Sequence, residues 1–256
     1  MHNITIIKVG GAIVEDETSL NQLLDRFANV DGLKILVHGG GRRATKVAAS
    51  LGIESRMVDG RRITDADMLE VVTMVYGGLV NKGIVARLQA RGINALGLTG
   101  ADADLIRSHR RPLKNGIDYG FVGDVDHVRG DLLLALLEQG TVPIIAPLTH
   151  DGQGHMLNTN ADTMASETAK ALARYADVTL VYCFEKPGVL SNPDDDSSVI
   201  PVITQADFER LTADGTISGG MKPKVENALA AVSAGVGRVI ITQASAIGKE
   251  GGTVIK

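Results

Sequence analysis

An α/β fold built on a parallel sheet covered on both faces is what this sequence predicts, and three observations carry that reading. Short runs rich in β-branched residues alternate with longer amphipathic stretches, the rhythm of βαβ units. Hydrophobic residues make up 44% of the 256-residue chain, aromatics only 3%, and tryptophan is absent. The core must therefore be assembled from Val, Ile, Leu and Ala, as in strands buried on both faces. Glycine contributes 30 residues, well above its usual share of roughly 7%, and much of it gathers in runs rather than at a fixed period.

Taken in order, Ile4-Thr5-Ile6-Ile7-Lys8-Val9 predicts the first strand, 17–30 a helix, Leu33 to Val37 the second strand, and 42 onward a second helix. A long helix near 65–91 leads to a strand from Ile93 to Leu98, a helix near 129–139 and the apolar run Val142 to Ala146. Between 104 and 127, Arg111-Pro112, Asn115-Gly116 and Gly120 split the pattern into short pieces, which predicts hairpins decorating a sheet edge. After the loop Asp151 to Gly154 the rhythm resumes: a helix near 161–175, a strand from Val178 to Tyr182, helices near 204–213 and 221–235, and a strand from Arg238 to Thr242. Asn192-Pro193-Asp194-Asp195-Asp196 reads as a solvated turn, because Asn-Pro and Asp are turn formers.

Composition narrows the function classes. With 26 Lys+Arg against 30 Asp+Glu the formal charge is -4, which offers no general attraction to nucleic acid or to an anionic membrane. No run approaches the ~20 consecutive apolar residues of a membrane span. The single cysteine, Cys183, cannot form an internal disulfide, and no charged-then-apolar leader opens the chain, so a cytoplasmic protein that works on small molecules is expected. The P-loop pattern, the dinucleotide Gly-x-Gly-x-x-Gly and the hydrolase Gly-x-Ser-x-Gly elbow are all missing. The six histidines share no ligand spacing, so a structural zinc is not expected.

Anion chemistry is nonetheless written at the strand ends. Lys8-Val9-Gly10-Gly11 closes the first strand with a cation and two residues whose backbone N–H groups can approach an anion closely. The second strand ends in His38-Gly39-Gly40-Gly41 and passes directly into a helix, so free N–H groups and the positive helix terminus converge there. Carboxyl ends of parallel strands define the ligand crevice, and both loops sit at such ends. His38 itself reads as structural. Three polar clusters follow at helix entrances: Asp59 to Asp65 with Arg61, Arg62 and Thr64; Asn158-Thr159-Asn160-Ala161-Asp162; and Ser218-Gly219-Gly220-Met221-Lys222-Pro223-Lys224. Arginine offers a planar fork for a carboxylate, asparagine a neutral donor, and an aspartate can hold lysine ammoniums in place. Each cluster also reads plainly: Thr64 or Asn160 as an N-cap, Gly219-Gly220 as a loop, the lysines as solvated.

Taken together, Lys8-x-Gly10-Gly11, His38 to Gly41, Gly60-x-Arg62-x-Thr64, Asn158-x-Asn160-Ala161-Asp162 and Gly219-Gly220-Met221-x-Pro223-Lys224 resemble the amino acid kinase family over the whole length of the chain. Gly97-Leu98-Thr99-Gly100-Ala101-Asp102 and Gly120-Phe121-Val122-Gly123 resemble, within it, the members that act on acylated glutamate. The resemblance implies a three-layer αβα sandwich around a mainly parallel central sheet, one domain spanning 1–256. Within it, a lobe over 1–170 would bind the acylglutamate and dimerise, and a lobe over 171–256 would bind ATP carrying Mg2+. It implies transfer of the γ-phosphoryl group to the side-chain carboxylate of N-acetyl-L-glutamate. By motif position Lys8 and Lys224 fall at two phosphoryl-stabilising lysines and Asp162 at the residue that orients them. Gly40, Gly41, Arg62 and Asn158 fall at the acceptor, with Arg62 at its α-carboxylate. Gly10 and Gly11 match the loop over the phosphates, and Ser218 and Met221 the segment near the nucleotide.

The chain departs from the family pattern at Val181-Tyr182-Cys183-Phe184-Glu185-Lys186-Pro187-Gly188, where Leu-Thr/Ser-Asp-x-x-Gly is usual. Either Glu185 replaces the aspartate in a loop two residues longer, or the adenosine contacts differ. Lys222 stands where an aliphatic residue is usual. Arg107-Ser108-His109-Arg110-Arg111-Pro112-Leu113-Lys114 carries four full positive charges and no acid. It reads as a solvated hairpin face or, more sharply, as the partner of an acyl group with an additional carboxylate, which would make the acceptor N-succinyl glutamate. Arginine-inhibited hexameric members carry an additional N-terminal helix, which leads to the expectation of a homodimer without arginine feedback. A carrier-bound aminoadipate derivative as acceptor, and a catalytically silent regulatory protein on the same fold, are the rival readings.

Overall fold

In a computed structural model the described residues are 2–58, 61–113, 115–219, 221–249 and 251–256; Asp59, Gly60, Lys114 and Gly220 of the motifs above lie outside them. Among the described residues the strands are, in chain order, β1 Asn3–Val9, β2 Leu33–His38, β3 Met57–Val58, β4 Arg61–Arg62, β5 Ala95–Leu98, β6 Ile106–Arg110, β7 Gly123–Val128, β8 Val142–Ile145, β9 Leu148–His150, β10 Met156–Asn158, β11 Asp177–Phe184, β12 Val202–Ile203, β13 Arg238–Gln243 and β14 Thr253–Ile255. The main sheet has the order β12-β14-β13-β11-β1-β2-β8-β5. It is parallel except where β14 runs antiparallel to β13.

Strand alternation produces the three layers. Register pairs Ile6 with Ile35 and Ile7 with Leu36. Ile4, Ile6, Ile35, Val37, Val178 and Leu180 pack in one core, and Ile7, Val9 and Leu36 in another. Successive residues of one strand feed opposite faces, so both faces must be covered. On the first face lie helices Gly130–Glu138, Ala161–Leu172, Gln205–Ala213 and Met221–Ser233, which contribute Leu133, Met164, Phe208 and Val225. On the second lie Glu17–Ala28, Gly41–Ser50 and the long helix Ala66–Gln89, which contribute Leu23, Phe27, Ala44 and Met68. That long helix contains a π-helical stretch, Thr73–Val80, and is long and apolar enough to span a membrane by length and composition. In this fold its Met68, Val71, Val72, Ile84 and Leu88 are buried against the sheet.

The segment expected to decorate a sheet edge instead builds a second sheet, in the order β10-β9-β6-β7. Its hairpin β6–β7 is antiparallel, and Ile106 and Val128 reach the first core while Arg107, His109 and Arg110 face out. An antiparallel hairpin with one apolar face packs over a core more readily than it extends a sheet buried on both sides. The Asn192 to Asp196 stretch is an exposed turn, as expected, with Asp196 paired to Lys186 at 2.8 Å.

Candidate active site

Val9 and His38 are register partners, so the two glycine loops leaving β1 and β2 lie side by side. The Gly39 amide donates to the Val9 carbonyl at 3.0 Å. A Cβ on Gly39 would stand 3.1 Å from the Gly11 nitrogen, and one on Gly11 would stand 3.5 and 3.6 Å from the nitrogens of Gly41 and Gly40. A side chain at Gly39 would press on the neighbouring loop, while one at Gly11 would stand at ordinary contact distance over the Gly40 and Gly41 amides and screen them; glycine lets the amides of Gly11, Gly40 and Gly41 converge, and none donates to a main-chain acceptor among the described residues. The Tyr76 ring packs under this loop, 2.8 Å from where a Gly40 Cβ would be. His38 is fully buried between the Gly39 carbonyl, 2.8 Å from Nδ1, and the Asn81 amide, 3.1 Å from Nε2. Burial pushes its pKa down to about 4, so it is neutral and structural, as read from the sequence.

Lys8 rises from β1 beside these loops and places Nζ 2.7 Å from Asp162 Oδ1. The pair is largely enclosed, with 8% and 15% of the two side chains exposed. Asp162 is aimed there because Asn160 caps its helix: Asn160 Oδ1 accepts from the amides of Asp162 and Thr163 at 2.8 and 3.1 Å. Asn160 is thus an N-cap, as its plain reading had it, whereas Thr64 is not; Asp65 caps the following helix by accepting from the Met68 amide. Lys224 comes from the first turn of Met221–Ser233. Its pKa is lowered, first by burial and then by the Lys8 charge, against the opposing pull of Asp162, so all three charges share one neighbourhood. Both ammoniums stand over the Phe184 ring, Lys8 at 5.3 Å and Lys224 at 4.1 Å from its centroid.

Two cavities adjoin along the glycine loops. One, of about 440 Å³, is lined by Lys8, Gly10, Gly11, Phe184, Met221 and Lys224 among others. The second, of about 180 Å³, is lined by Gly40, Arg61, Arg62, Arg111 and Asn158 among others. Gly41 lines both. The Arg62 guanidinium is held before any ligand arrives: Nη2 donates to the Gly41 carbonyl at 2.9 Å and to Thr45 Oγ1 at 2.8 Å, and Nη1 donates to Ser55 Oγ. Asn158 Nδ2 donates to Thr64 Oγ1 at 2.9 Å. Thr64 is itself bridged to Gly120, whose φ of +71° and 2.1 Å approach of a built Cβ to the Thr64 carbonyl leave room for glycine alone.

A pocket suited to a carboxylate thus adjoins a pocket with two lysines and an amide-rich loop, at the carboxyl edge of a parallel sheet. The family model described as the amino acid kinase family matches residues 3–243. The chain belongs to the amino acid kinase family. It is 66% identical, over 99% of its length and 97% of the other's, to an acetylglutamate kinase of Bacteroides fragilis. It is 41% identical to one of Methanopyrus kandleri, covering 98% and 99% of the two chains. Among solved structures, smu.665 from Streptococcus mutans superimposes with a TM-score of 0.81 at 29% identity, covering 99% and 98% of the two chains. An N-acetylglutamate synthase from Neisseria gonorrhoeae shares the fold, with a TM-score of 0.83 at 21% identity over 99% of this chain and 59% of that one.

Glu185-Lys186-Pro187-Gly188 repeats the spacing of Asp-x-x-Gly, and on that spacing Glu185 stands at the pattern's aspartate and Phe184 at its small Thr/Ser. Glu185 lines the 440 Å³ cavity and faces Arg42 across its mouth at 3.4 Å. Met221 lines the same cavity, while Ser218 is exposed and is not among the lining residues; Lys222 is exposed. Most of the basic run is answered by acids: Arg107 pairs with Asp104, Arg110 with Asp118 and His109 with Asp126. Arg111 is different. It forks onto Asp124 and also lines the 180 Å³ cavity, as does Arg61, which the sequence reading left without a role. The signal was there in the doublet Arg61-Arg62, but the two-residue strand β4 imposes no clear alternation from which to place both guanidiniums.

Proposed function

We propose that this amino acid kinase transfers the γ-phosphoryl group of ATP to the γ-carboxylate of N-acetyl-L-glutamate, giving N-acetyl-L-glutamyl 5-phosphate and ADP in arginine biosynthesis. The grouping of Lys8, Asp162 and Lys224 beside the larger cavity, which shares Gly41 with the carboxylate-suited one, supports this most strongly. A carboxylate oxygen attacks the γ-phosphorus, the bond to the β,γ-bridging oxygen breaks with its electrons left on ADP, and no proton moves. Such a reaction needs no general base. It needs two anions held in line and the charge on the equatorial and leaving oxygens neutralised, which Lys8, Lys224 and the convergent amides supply. Arg62 and Asn158 hold the acceptor, the loop of Gly10 and Gly11 covers the phosphates, and Met221 borders the nucleotide. In this reading the N-terminal lobe, 1–170, takes the acceptor, and 171–256 the nucleotide.

Magnesium fits as an ion brought by the nucleotide. Among the described residues no three acidic, histidine or cysteine side chains group as a cation cage, and Glu185 is the carboxylate facing the larger cavity. Mg2+ keeps waters and phosphate oxygens in such settings and, when bound, neutralises charge on the β- and γ-phosphates. ATP consumption that depends on acylglutamate tests the proposal; ATP turnover indifferent to the acceptor would defeat it.

The pH profile gives a second check. Lys224 must be charged to act, and its pKa in the free protein lies below the usual lysine range, so kcat/KM for ATP should fall as pH rises through that lowered value, earlier than an ordinary lysine would dictate. Asp162→Asn removes the charge that raises the Lys224 pKa, so the alkaline limb should move to lower pH. A limb that stays in place under Asp162→Asn would contradict the shared neighbourhood.

One observation favours a second acceptor, N-succinyl-L-glutamate. Arg61 and Arg111 extend the wall of the acceptor cavity past Arg62. The Arg61 pKa is lowered by burial and by Arg111, with Asp124 opposing, and Arg61 has no ion-pair partner within 4 Å among the described residues. A wall with surplus positive charge favours an acyl group that ends in a carboxylate. Arg61→Gln should then cut kcat/KM for the succinyl substrate about tenfold or more while leaving the acetyl substrate within about twofold, since a charge-assisted contact contributes roughly 1.5–3 kcal/mol. Equal losses on both substrates would discard this reading.

The chain is also proposed to act as a homodimer in the cytoplasm. Met74, Leu79 and Leu96 are exposed apolar residues of the N-terminal half, on the long helix and on strand β5 at the end of the main sheet. Leu79→Glu should lower the mass seen by light scattering from dimer to monomer; an unchanged mass would place the contact elsewhere.

A further inference from the structure

Phe184 is the residue at which this chain departs from the family's small hydroxyl, and its ring sits under both lysines of the site. Its position follows from the sheet. Lys8 is the register partner of Tyr182, so Lys8, Tyr182 and Phe184 share one face of two adjacent strands. The Tyr182 and Phe184 rings stack, with centroids 6.2 Å apart and planes 13° from parallel, and the Tyr182 hydroxyl donates to the Asp162 carbonyl at 3.3 Å. The ring is therefore fixed from below and packs against the first core, while it borders the larger cavity and a neighbouring one lined by Ile13, Leu23 and Arg26.

Two ammoniums aimed at one phosphate repel each other, and both are drawn to Asp162. Lys8 has that carboxylate at 2.7 Å; Lys224 has no hydrogen-bond or ion-pair partner among the described residues. Were Lys224 to close onto Asp162 as well, its donors would be taken up by a carboxylate and its charge neutralised. An aromatic face attracts a cation without occupying its N–H donors or cancelling its charge. We propose that Phe184 is a positioning residue, holding the Lys224 ammonium over its ring and away from Asp162, so that Lys224 meets the transferring phosphoryl group with its donors free. The inference rests on the kinase reading above. It assigns the Thr/Ser-to-Phe departure a purpose: a cation seat at the place where the reaction needs a second positive charge.

Fluorinated phenylalanines at position 184 separate the ring's electrostatics from its shape, because fluorine drains the negative face with little change in volume. Along phenylalanine, 4-fluoro-, trifluoro- and pentafluorophenylalanine, kcat should fall stepwise to a total of about tenfold. The acceptor KM should stay within about twofold, and the alkaline limb of kcat/KM for ATP should move to lower pH as the charged form of Lys224 loses support. Phe184→Trp should retain turnover and Phe184→Leu should lose it. Thermal midpoints along the fluorinated series serve to show that the fold is kept. A flat series in an enzyme whose unmodified form turns over acylglutamate would overturn this proposal alone. Absence of acylglutamate-dependent turnover in the unmodified protein would remove the kinase reading, and this one with it.

Discussion

Lys8→Met and Lys224→Met are each expected to lower kcat by about two to three orders of magnitude, the loss seen when one preorganised donor to a developing oxyanion is removed. The acceptor KM should move far less, because the acceptor cavity is lined by Arg61, Arg62, Arg111 and Asn158 and by neither lysine. The two variants should part company in stability. Lys8 is buried on β1 and answers Asp162 at 2.7 Å, so methionine leaves a largely enclosed carboxylate unpaired and should cost stability, about 3 kcal/mol at most given the residual exposure, which lowers the thermal midpoint. Lys224 stands in the opposite condition. Its lowered pKa means that the folded protein disfavours its charged form, a cost fully present at neutral pH, so methionine at 224 should leave the midpoint unchanged or raise it. Steady-state kinetics beside thermal denaturation reads both effects. Unchanged kcat in either variant would sink the assigned role, and equal destabilisation by both would show that the two ammoniums are held alike.

That contrast also marks what the sequence could tell. Lys8, Asp162 and Lys224 are separated by 154 and 62 positions, yet each sits beside a strong local signal: a strand running into Gly10-Gly11, an Asn160 cap, a glycine-bounded helix entrance. Such signals fix where a side chain leaves the backbone, and a parallel sheet then brings strand ends and helix starts to one edge. The two cores were legible for the same reason, since β1, β2 and β11 are aliphatic on both faces. What failed to show lacks that local stamp. Strand β14 is three residues long and antiparallel to its neighbour. The second sheet is held by a parallel contact between β6 and β9, of which register records a single pair, Arg107 with His150. The charge run from Arg107 to Lys114 looked unopposed because its acids, Asp104, Asp118, Asp124 and Asp126, lie on either side of it in sequence and close on it only in the folded hairpin. Phe184 shows the reverse: the departure from the family pattern was visible, but its meaning depended on the distance of its ring from two ammoniums.

Arg62→Lys is expected to raise the acceptor KM about a hundredfold while the KM for ATP stays within about threefold and kcat falls less than about tenfold. Arg62 is 9% exposed and its guanidinium is already committed to the Gly41 carbonyl, Thr45 Oγ1 and Ser55 Oγ. Those bonds take both Nη2 hydrogens and one on Nη1, whose other hydrogen points at Met68 Sδ, so they fix the plane of the guanidinium, and an arriving carboxylate meets its charge and takes the Nε–H or displaces one of these partners. An ammonium in the same place keeps the charge but, with three hydrogens, cannot serve the three anchoring acceptors and a carboxylate together. The loss should therefore fall on ground-state and transition-state binding alike, which raises KM and spares kcat, because the α-carboxylate is remote from the phosphorus. Thr45→Val separates anchoring from charge. It removes one acceptor from Nη2 at nearly constant volume and should raise the acceptor KM only a fewfold, as expected for one uncharged anchor of a guanidinium that stays in place. A drop in kcat of a hundredfold with unchanged acceptor KM in Arg62→Lys would move this guanidinium from the acceptor's α-carboxylate to the reacting phosphoryl group, and the two cavities would have to be reassigned.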